Sequence, residues 1–204
     1  MTLSDLYERL GARGLIVGSS GNVSERTATG MTITASGGSP AAGALVTMAL
    51  DGTVSNNGTP SSEWEMHAAI YRAFPEAGCI VHAHADACTA LACLNESLPP
   101  FHYMVVQFGG GDIRCAPYVT FGTPALAALA VAALRDRTAC LLANHGMILY
   151  ARDTDRALAR AELLELLCRQ YLLARASGTP RLLTDAEILA ALARFRTYGS
   201  PGQS

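Results

Sequence analysis

Short apolar segments of strand length alternate with helical segments along the whole chain, and this mixture most limits the folds open to it. Strands are predicted at residues 31–34, 44–50, 78–83, 114–119, 138–143 and 145–150. Helices are predicted at about residues 4–13, 60–74, 86–94, 123–134, 153–176 and 184–195. Such a mixture predicts an α/β fold, and the Asp51-Gly52 turn predicts a sheet that is at least partly antiparallel.

Polar residues mark where helices and loops begin. The predicted N-caps are Ser4, a serine just before Glu63, Asp86 and Thr184. Small polar residues also form two segments, 18–24 and 34–38, which are predicted to be loops with exposed amide groups.

The composition favours one large domain. Half of the 204 residues are hydrophobic and 16% are charged, so a substantial apolar core is available. The chain has no internal repeat and no low-complexity linker. Residues 1–204 are therefore predicted to form a single domain, with residues 199–204 as a flexible tail.

All 15 basic residues are arginines, and 17 acidic residues bring the formal net charge to −2. The arginines are scattered from Arg9 to Arg196, so no basic stripe is available to bind a nucleic acid backbone. The lack of lysine excludes Schiff-base catalysis and a Walker A phosphate loop.

The apolar segments and the N-terminus predict a cytoplasmic protein with no membrane partner. The longest apolar run, residues 125–134, is shorter than the roughly 18 residues of a membrane span, and the N-terminus lacks a signal-peptide pattern. The six cysteines occur singly in apolar surroundings, without CxxC spacing, and are predicted to be core thiols.

Two histidines in the segment Val81-His82-Ala83-His84 are the sharpest local signal for chemistry. Alternate residues of a strand share one face, so both imidazoles could bind one metal ion. Alone, such a pair is more often just polar residues at a strand end. His145, in Asn144-His145-Gly146, also follows an apolar strand, and three histidines with an open position are typical of a catalytic zinc site.

Glu63 is the candidate fourth member, at the first turn of the helix that follows Pro60-Ser61-Ser62. By itself it would be interpreted as a charge that the helix dipole favours. The serines and free N–H groups of this helix end, with the two polar loops, suggest a phosphate pocket beside the metal. His67 is interpreted as a polar residue of the helix face, and His102 as structural.

Eight short segments, in order over nearly the whole chain, resemble the class II aldolase and adducin family. They are GSSGNVS at 18–24, TASG at 34–37, PSSEW at 60–64, VHAHA at 81–85, HYM at 102–104, CAPYVTFGT at 115–123, NHGM at 144–147 and FRTYG at 195–199. The two histidine motifs are typical of the broad family, whereas the glutamate of PSSEW and the terminal TYG are typical of its aldolase branch.

The resemblance implies a three-layer α/β/α sandwich around a mainly antiparallel sheet. It also implies a zinc ion held by His82, His84 and His145, with Glu63 as a ligand that substrate displaces and that then acts as general acid/base. The phosphate of the substrate would be bound by residues of the three polar segments: Gly21, Asn22, Ser36, Gly37, Ser61 and Ser62.

Aromatic residues complete the implied site. Tyr103 and Tyr198 would lie near the aldehyde half of the substrate at a subunit boundary, because relatives are four-fold symmetric tetramers. Phe121 would line the same pocket, and Tyr103 is the better candidate for moving the proton of the aldehyde oxygen.

The implied reaction is a reversible aldol cleavage of a phosphorylated ketose to dihydroxyacetone phosphate and an aldehyde. Zinc would act as the Lewis acid in place of the missing lysine. Two kinds of alternative stay open. One is a sister enzyme of the family, such as a sugar-phosphate 4-epimerase, which typically has aspartate in place of Glu63, or a dehydratase or decarboxylase. The other is a non-catalytic adducin-like interaction module.

Overall fold

The computed structural model describes residues 1–39 and 44–197 and contains a seven-stranded sheet with helices on both faces. The strands are β1 Gly21–Arg26, β2 Met31–Thr34, β3 Leu45–Met48, β4 Cys79–Ala83, β5 Cys115–Ala116, β6 Ala139–Leu142 and β7 Gly146–Ala151. The helices are α1 Leu3–Ala12, α2 Trp64–Ala73, α3 Asp86–Cys93, α4 Pro124–Ala133, α5 Thr154–Ser177 and α6 Asp185–Thr197, with a 3₁₀ helix over Tyr103–Phe108.

The sheet is mainly antiparallel, as the resemblance implied. Its strand order is β3-β2-β1-β4-β7-β6-β5, and β5 with β6 is the parallel pair among these neighbours. β4 lies in the middle, between β1 and β7, with Asn22 of β1 opposite His82 and Ile148 of β7 on its other side. His82, the candidate histidine within β4, therefore lies at the centre of the sheet.

Two apolar cores make the fold a three-layer sandwich, which confirms the predicted architecture. One core contains residues of α1, α3 and α5, and the other contains residues of α2 and α4. Side chains of β4 alternate between them, because successive residues of a strand point to opposite faces: Val81 packs in the first core and Ile80 in the second. His82 therefore faces α2.

One loop prediction and one strand prediction were wrong. Residues 21–24, predicted as a polar loop, belong to β1, because Val23 anchors one face of the strand while the polar side chains on its other face form buried hydrogen bonds. Residues 114–119 form only the two-residue strand β5, and the rest of that segment is irregular. Residues 53–55, after the turn, contribute a single bridge between Val54 and Met48.

The region from 138 to 150 is a hairpin in which His145 belongs to the turn rather than to a strand. β6 pairs with β7 in antiparallel register, with Leu142 opposite Gly146. Asn144 has a φ of 55°, a left-handed conformation that asparagine adopts more readily than most residues. The chain reversal at this residue carries His145 out of the strand direction.

Several predicted helix caps are replaced by other residues. Thr2, not Ser4, is the N-cap of α1, with Asp5 completing a capping box. The N-cap position of α3 is Ala85, not Asp86. Thr184 caps the start of α6 as predicted, since its hydroxyl accepts a hydrogen bond from the Glu187 amide.

The start of α3 is capped from a distant part of the chain by Glu165 of α5. Its buried carboxylate accepts hydrogen bonds of 2.9 and 3.0 Å from the amides of Ala87 and Cys88. These are two of the amides that a helix start leaves without partners. Glu165 thereby holds the helix that begins directly after His84 and Ala85.

Replacing Glu165 with glutamine is expected to lower the free energy of unfolding by about 1–3 kcal/mol, the range for losing hydrogen bonds to a charged group. Urea denaturation of the purified protein measures the change. The matched control is Glu162→Gln, because Glu162 lies on the same helix but is exposed to 39% and pairs with Arg13. Equal stabilities of the two variants would contradict this role of Glu165.

The six cysteines are free, but only four are buried as predicted: Cys79, Cys88, Cys140 and Cys168. Cys93 is exposed and Cys115 is half-buried.

Within residues 1–39 and 44–197, no helix combines the length and the apolar character needed to cross a bilayer. Tyr198 and the tail predicted at 199–204 lie outside the described residues.

Candidate active site

Three histidines meet where the end of β4 adjoins the β6–β7 turn. His82 belongs to β4, His84 follows its last residue, and His145 comes from the turn. The three pairs of ring centroids are separated by 4.8–4.9 Å, and each pair is edge-on. One nitrogen from each ring lies within 4.8 Å of the other two, so this group could hold a metal ion.

The orientation of His82 fits a metal ligand. Its Nδ1 lies 2.9 Å from the carbonyl oxygen of Met147, which can only accept a hydrogen bond, so Nδ1 carries the proton. The lone pair is then on Nε2, which lies 3.1 Å from Nε2 of His84. Such a backbone contact fixes the tautomer and the ring orientation of metal-binding histidines.

Glu63 lies against the histidine group from the other side. Its Oε2 is 3.0 Å from His82 Nε2, and its Oε1 is 3.4 Å from His145 Nε2. The carboxyl is buried, and Oε1 makes no hydrogen bond to any residue that the structure describes. A buried carboxylate oxygen without a hydrogen bond, facing three imidazoles, suits a site that binds a cation.

The local backbone places Glu63 differently from the prediction. Glu63 itself is the N-cap residue of α2, and its side chain does not cap the helix. No serine occupies the N-cap position of α2. Instead, Ser61 lies two residues before Glu63, and its Oγ accepts a 3.3 Å hydrogen bond from the Glu63 amide. The carboxylate is thus free to point at the histidines.

Electrostatics favour an ionised Glu63 beside neutral His84 and His145. Burial opposes ionisation of Glu63, but the charge and hydrogen bond of His82 outweigh it and hold the pKa of Glu63 well below its usual range. Burial, followed by repulsion from His82, lowers the pKa of both His84 and His145 to about 4. Neutral imidazoles have the lone pair that a metal ligand needs.

Gly146 allows the two histidine motifs to approach closely. A Cβ atom at this position would lie 2.5 Å from the carbonyl oxygen of Ala83 and 3.0 Å from Cδ2 of His84. Both distances are too short for a side chain, and the nearer atom belongs to the backbone. The glycine after His145 therefore lets β7 pack against the end of β4.

A cavity of about 330 Å³ opens beside the histidine group. The predicted site residues among those that line it are Gly21, Asn22, Ser36, Gly37, Ser61, Ser62, Glu63, His84, Phe121 and His145. His82 is fully buried, and its contacts with Glu63 and His84 place it behind the cavity wall. Six stretches of the chain that are distant in sequence thus surround one space.

The wall also contains residues that received no role from the sequence. They are Ser19, Ser20, Ala35, Tyr118 and Asn144. All of them lie within the quoted motifs, which is the signal that could have identified them. None of the residues described along this wall is an arginine, so hydroxyl and amide groups, with any bound metal, are what it offers to an anion.

Tyr103 lies elsewhere on this chain. It starts the 3₁₀ helix, is exposed to 51%, and stacks on Phe195 of α6 with ring centroids 6.0 Å apart. It lines a separate groove between these two elements and not the cavity beside the histidines. Tyr198, the other predicted catalytic tyrosine, falls outside the described residues.

His67 was interpreted as a polar residue of the helix face, but the structure buries it completely. Its ring nitrogens lie 2.6 Å from Asn22 Oδ1 and 2.7 Å from Ser24 Oγ. The available signal was helical spacing, because Glu63, His67 and Tyr71 recur every fourth residue on one face of α2.

Known proteins of one family match this chain over most of its length. Residues 1–172 match the model of the family described as Class II Aldolase and Adducin N-terminal domain. The chain is 40% identical over 204 residues to the 5-methylthioribulose-1-phosphate/5-deoxyribulose-1-phosphate aldolase of Rhodospirillum rubrum, covering 98% of this chain and 92% of that protein. It is 41% identical over 190 residues to the L-fuculose phosphate aldolase of Escherichia coli K12, covering 91% and 88%.

The fold agrees with this similarity. A solved structure of an L-fuculose 1-phosphate aldolase superimposes with a TM-score of 0.91 at 36% identity, covering 95% of this chain and 94% of that one. With the histidine group, the buried glutamate and these matches over nearly the full length, the chain belongs to the class II aldolase and adducin family, as one of its aldolase-type enzymes.

Proposed function

We propose that this enzyme reversibly cleaves a ketose 1-phosphate to dihydroxyacetone phosphate and an aldehyde, with zinc as its metal. The observation that carries the proposal is the position of Glu63. Its buried carboxylate lies between His82 and His145, at 3.0 and 3.4 Å, and lines a polar cavity. A group placed there can reach both a metal ion and a substrate bound to it.

The similarity to two kinds of aldolase supports a ketose 1-phosphate and leaves the aldehyde open. One relative is named for L-fuculose phosphate and the other for 5-methylthioribulose 1-phosphate and 5-deoxyribulose 1-phosphate. The three-carbon phosphate end is common to such substrates, whereas the aldehyde part differs. Tyr118 and Phe121, exposed to 60% and 62% at the cavity, are candidates to contact that part.

His82, His84 and His145 would hold the zinc ion, which when bound supplies a Lewis acid for the ketone and neighbouring hydroxyl oxygens. Glu63 would move the proton at the carbon next to the carbonyl. The phosphate would be bound by hydroxyl and amide groups of the cavity wall, from Gly21, Asn22, Ser36, Gly37, Ser61 and Ser62. These contacts hold the substrate in one orientation, which lowers the entropic part of the barrier.

The aromatic acid/base residues are proposed to act across a subunit boundary in a homotetramer. The observation in favour is that Tyr103 is half exposed and does not line its own chain's cavity, so a neighbouring subunit would present it. Tyr198 would close the site in the same way. We place the enzyme in the cytoplasm, since six free thiols suit a reducing compartment.

The test is an assay of the zinc-loaded protein for dihydroxyacetone phosphate, with L-fuculose 1-phosphate and 5-deoxyribulose 1-phosphate as separate substrates. We expect release from at least one of them. An epimerase or decarboxylase would consume a sugar phosphate without releasing dihydroxyacetone phosphate, and that result would contradict the proposal. A protein that binds no metal and converts neither substrate would instead support the adducin-like interaction module.

A further inference from the structure

A chain of buried polar side chains extends from Glu63 into the core between α2 and β1. Asn22 Nδ2 lies 3.1 Å from Glu63 Oε2, and Asn22 Oδ1 lies 2.6 Å from His67 Nε2. Ser24 Oγ lies 2.7 Å from His67 Nδ1 and 2.9 Å from the Tyr71 hydroxyl. Each of the four residues beyond Glu63 is at most 5% exposed, so solvent does not compete for these hydrogen bonds.

Two periodicities create this arrangement. Glu63, His67 and Tyr71 follow each other every fourth residue along α2, which places them on one face. Asn22 and Ser24 are alternate residues of β1 and share the sheet face opposite the face of Val23. The helix face and the strand face therefore interdigitate residue by residue.

The hydrogen bonds run in one direction. A carboxylate only accepts, so Asn22 must present its NH₂ group to Glu63 and its oxygen to His67. His67 must then donate from Nε2, which leaves Nδ1 as the acceptor of the Ser24 hydroxyl. Ser24 in turn accepts from Tyr71. In each of these hydrogen bonds, the side chain farther from Glu63 donates to the one nearer to it.

The hydrogen-bonded side chains beyond Glu63 are uncharged. Burial, followed by repulsion from His82, lowers the pKa of His67 to about 3, so its ring is neutral at neutral pH. A neutral ring has one donor and one acceptor nitrogen, and both are used here. Without the donor nitrogen of His67, the oxygen of the Asn22 amide would lose its hydrogen bond, and the direction of its NH₂ group would no longer be fixed from that side.

We propose that His67 is a positioning residue for Glu63, acting through the amide of Asn22. This role rests on the proposed function of Glu63 as the general acid/base. A carboxylate that changes partners between the metal site and the substrate needs a fixed hydrogen-bond donor in both positions. His67 supplies it indirectly, because its Nε2 holds the Asn22 oxygen in the orientation in which the NH₂ group faces Glu63.

The decisive comparison uses two amide variants of the zinc-loaded enzyme. The side chain of His67→Gln is long enough to reach Asn22, whereas that of His67→Asn reaches only the Ser24 end of the space. We expect kcat to fall about 10- to 100-fold in His67→Asn, with metal content unchanged, and to be largely restored in His67→Gln. Tyr150→Phe is the control for loss of a partly buried side-chain hydrogen bond, here to Glu76, and should leave kcat unchanged.

Equal kcat values for the folded His67→Asn variant and the wild type would overturn the proposal, as would equal losses in both amide variants. An inactive wild type would instead refute the proposed function itself. If His67→Asn does not fold, nitrogen-15 NMR of the wild-type histidines decides. The proposal requires a neutral His67 with its proton on Nε2, and a proton on Nδ1, or a charged ring, at pH 7 would overturn it.

Discussion

Glutamine in place of Glu63 is expected to lower kcat by about 10²- to 10⁴-fold, the usual contribution of a general acid/base, while the protein folds and keeps its metal. The substitution preserves the shape of the side chain and an oxygen that can accept the hydrogen bond from Asn22 Nδ2. The three histidines are unchanged and still offer their nitrogens to a metal. What is lost is the ability to take up and release a proton.

The measurement is steady-state release of dihydroxyacetone phosphate by the wild type and the variant, each with its metal content determined. Glu65→Gln is the matched control, because it makes the same chemical change in the same helical turn, and Glu65 does not line the cavity. We expect it to keep the activity of the wild type. A Glu63→Gln protein that turns over at the wild-type rate would contradict the role of Glu63.

Alanine in place of His145 is expected to weaken metal binding by more than about 100-fold, since even partners outside the ligand set contribute 10- to 100-fold. His145 is the best of the three histidines to replace. It lies in a turn and its side chain is exposed to 11%, whereas His82 is fully buried and bonded to the backbone of β7. Loss of metal should therefore occur without loss of the fold.

Titration of the chelator-treated protein with zinc, followed by heat capacity or fluorescence, gives the affinity and the metal-dependent rise in Tm. The wild type should lose activity with its metal and regain it on addition of zinc. His102→Asn is the matched control, because His102 lies outside the histidine group and its side chain caps the Met104 amide. Unchanged zinc affinity in His145→Ala would contradict the assignment of this ligand.

Most of the architecture was accessible from local patterns. Apolar runs located β2, β4 and β6, and helical spacing located all six helices, because the period of apolar residues reports directly which face is buried. β1 was missed because its alternate residues, Asn22 and Ser24, are polar and buried. Their partners, Glu63 and His67, come from a helix some 40 residues away, and no local pattern contains that information.

The sequence alone also indicated which residues form the candidate site. Residue types and their places at strand ends and a helix start indicated His82, His84, His145 and Glu63 as candidates, and the structure brings these four side chains together. The sequence did not determine that Glu63 would be a helix N-cap residue that leaves its own helix uncapped, because the cap depends on the Ser61 hydroxyl and on the backbone turn.

Only the tertiary structure decided how these residues meet. The left-handed turn at Asn144 carries His145 out of the strand, and Gly146 lets the turn pack against His84. Contacts between residues distant in the chain, such as Glu165 on the start of α3 and His67 beside Asn22, depend on how helices lie on the sheet. Sequence patterns report which face of an element is buried, whereas the partner of each buried polar group depends on the packing of the whole fold.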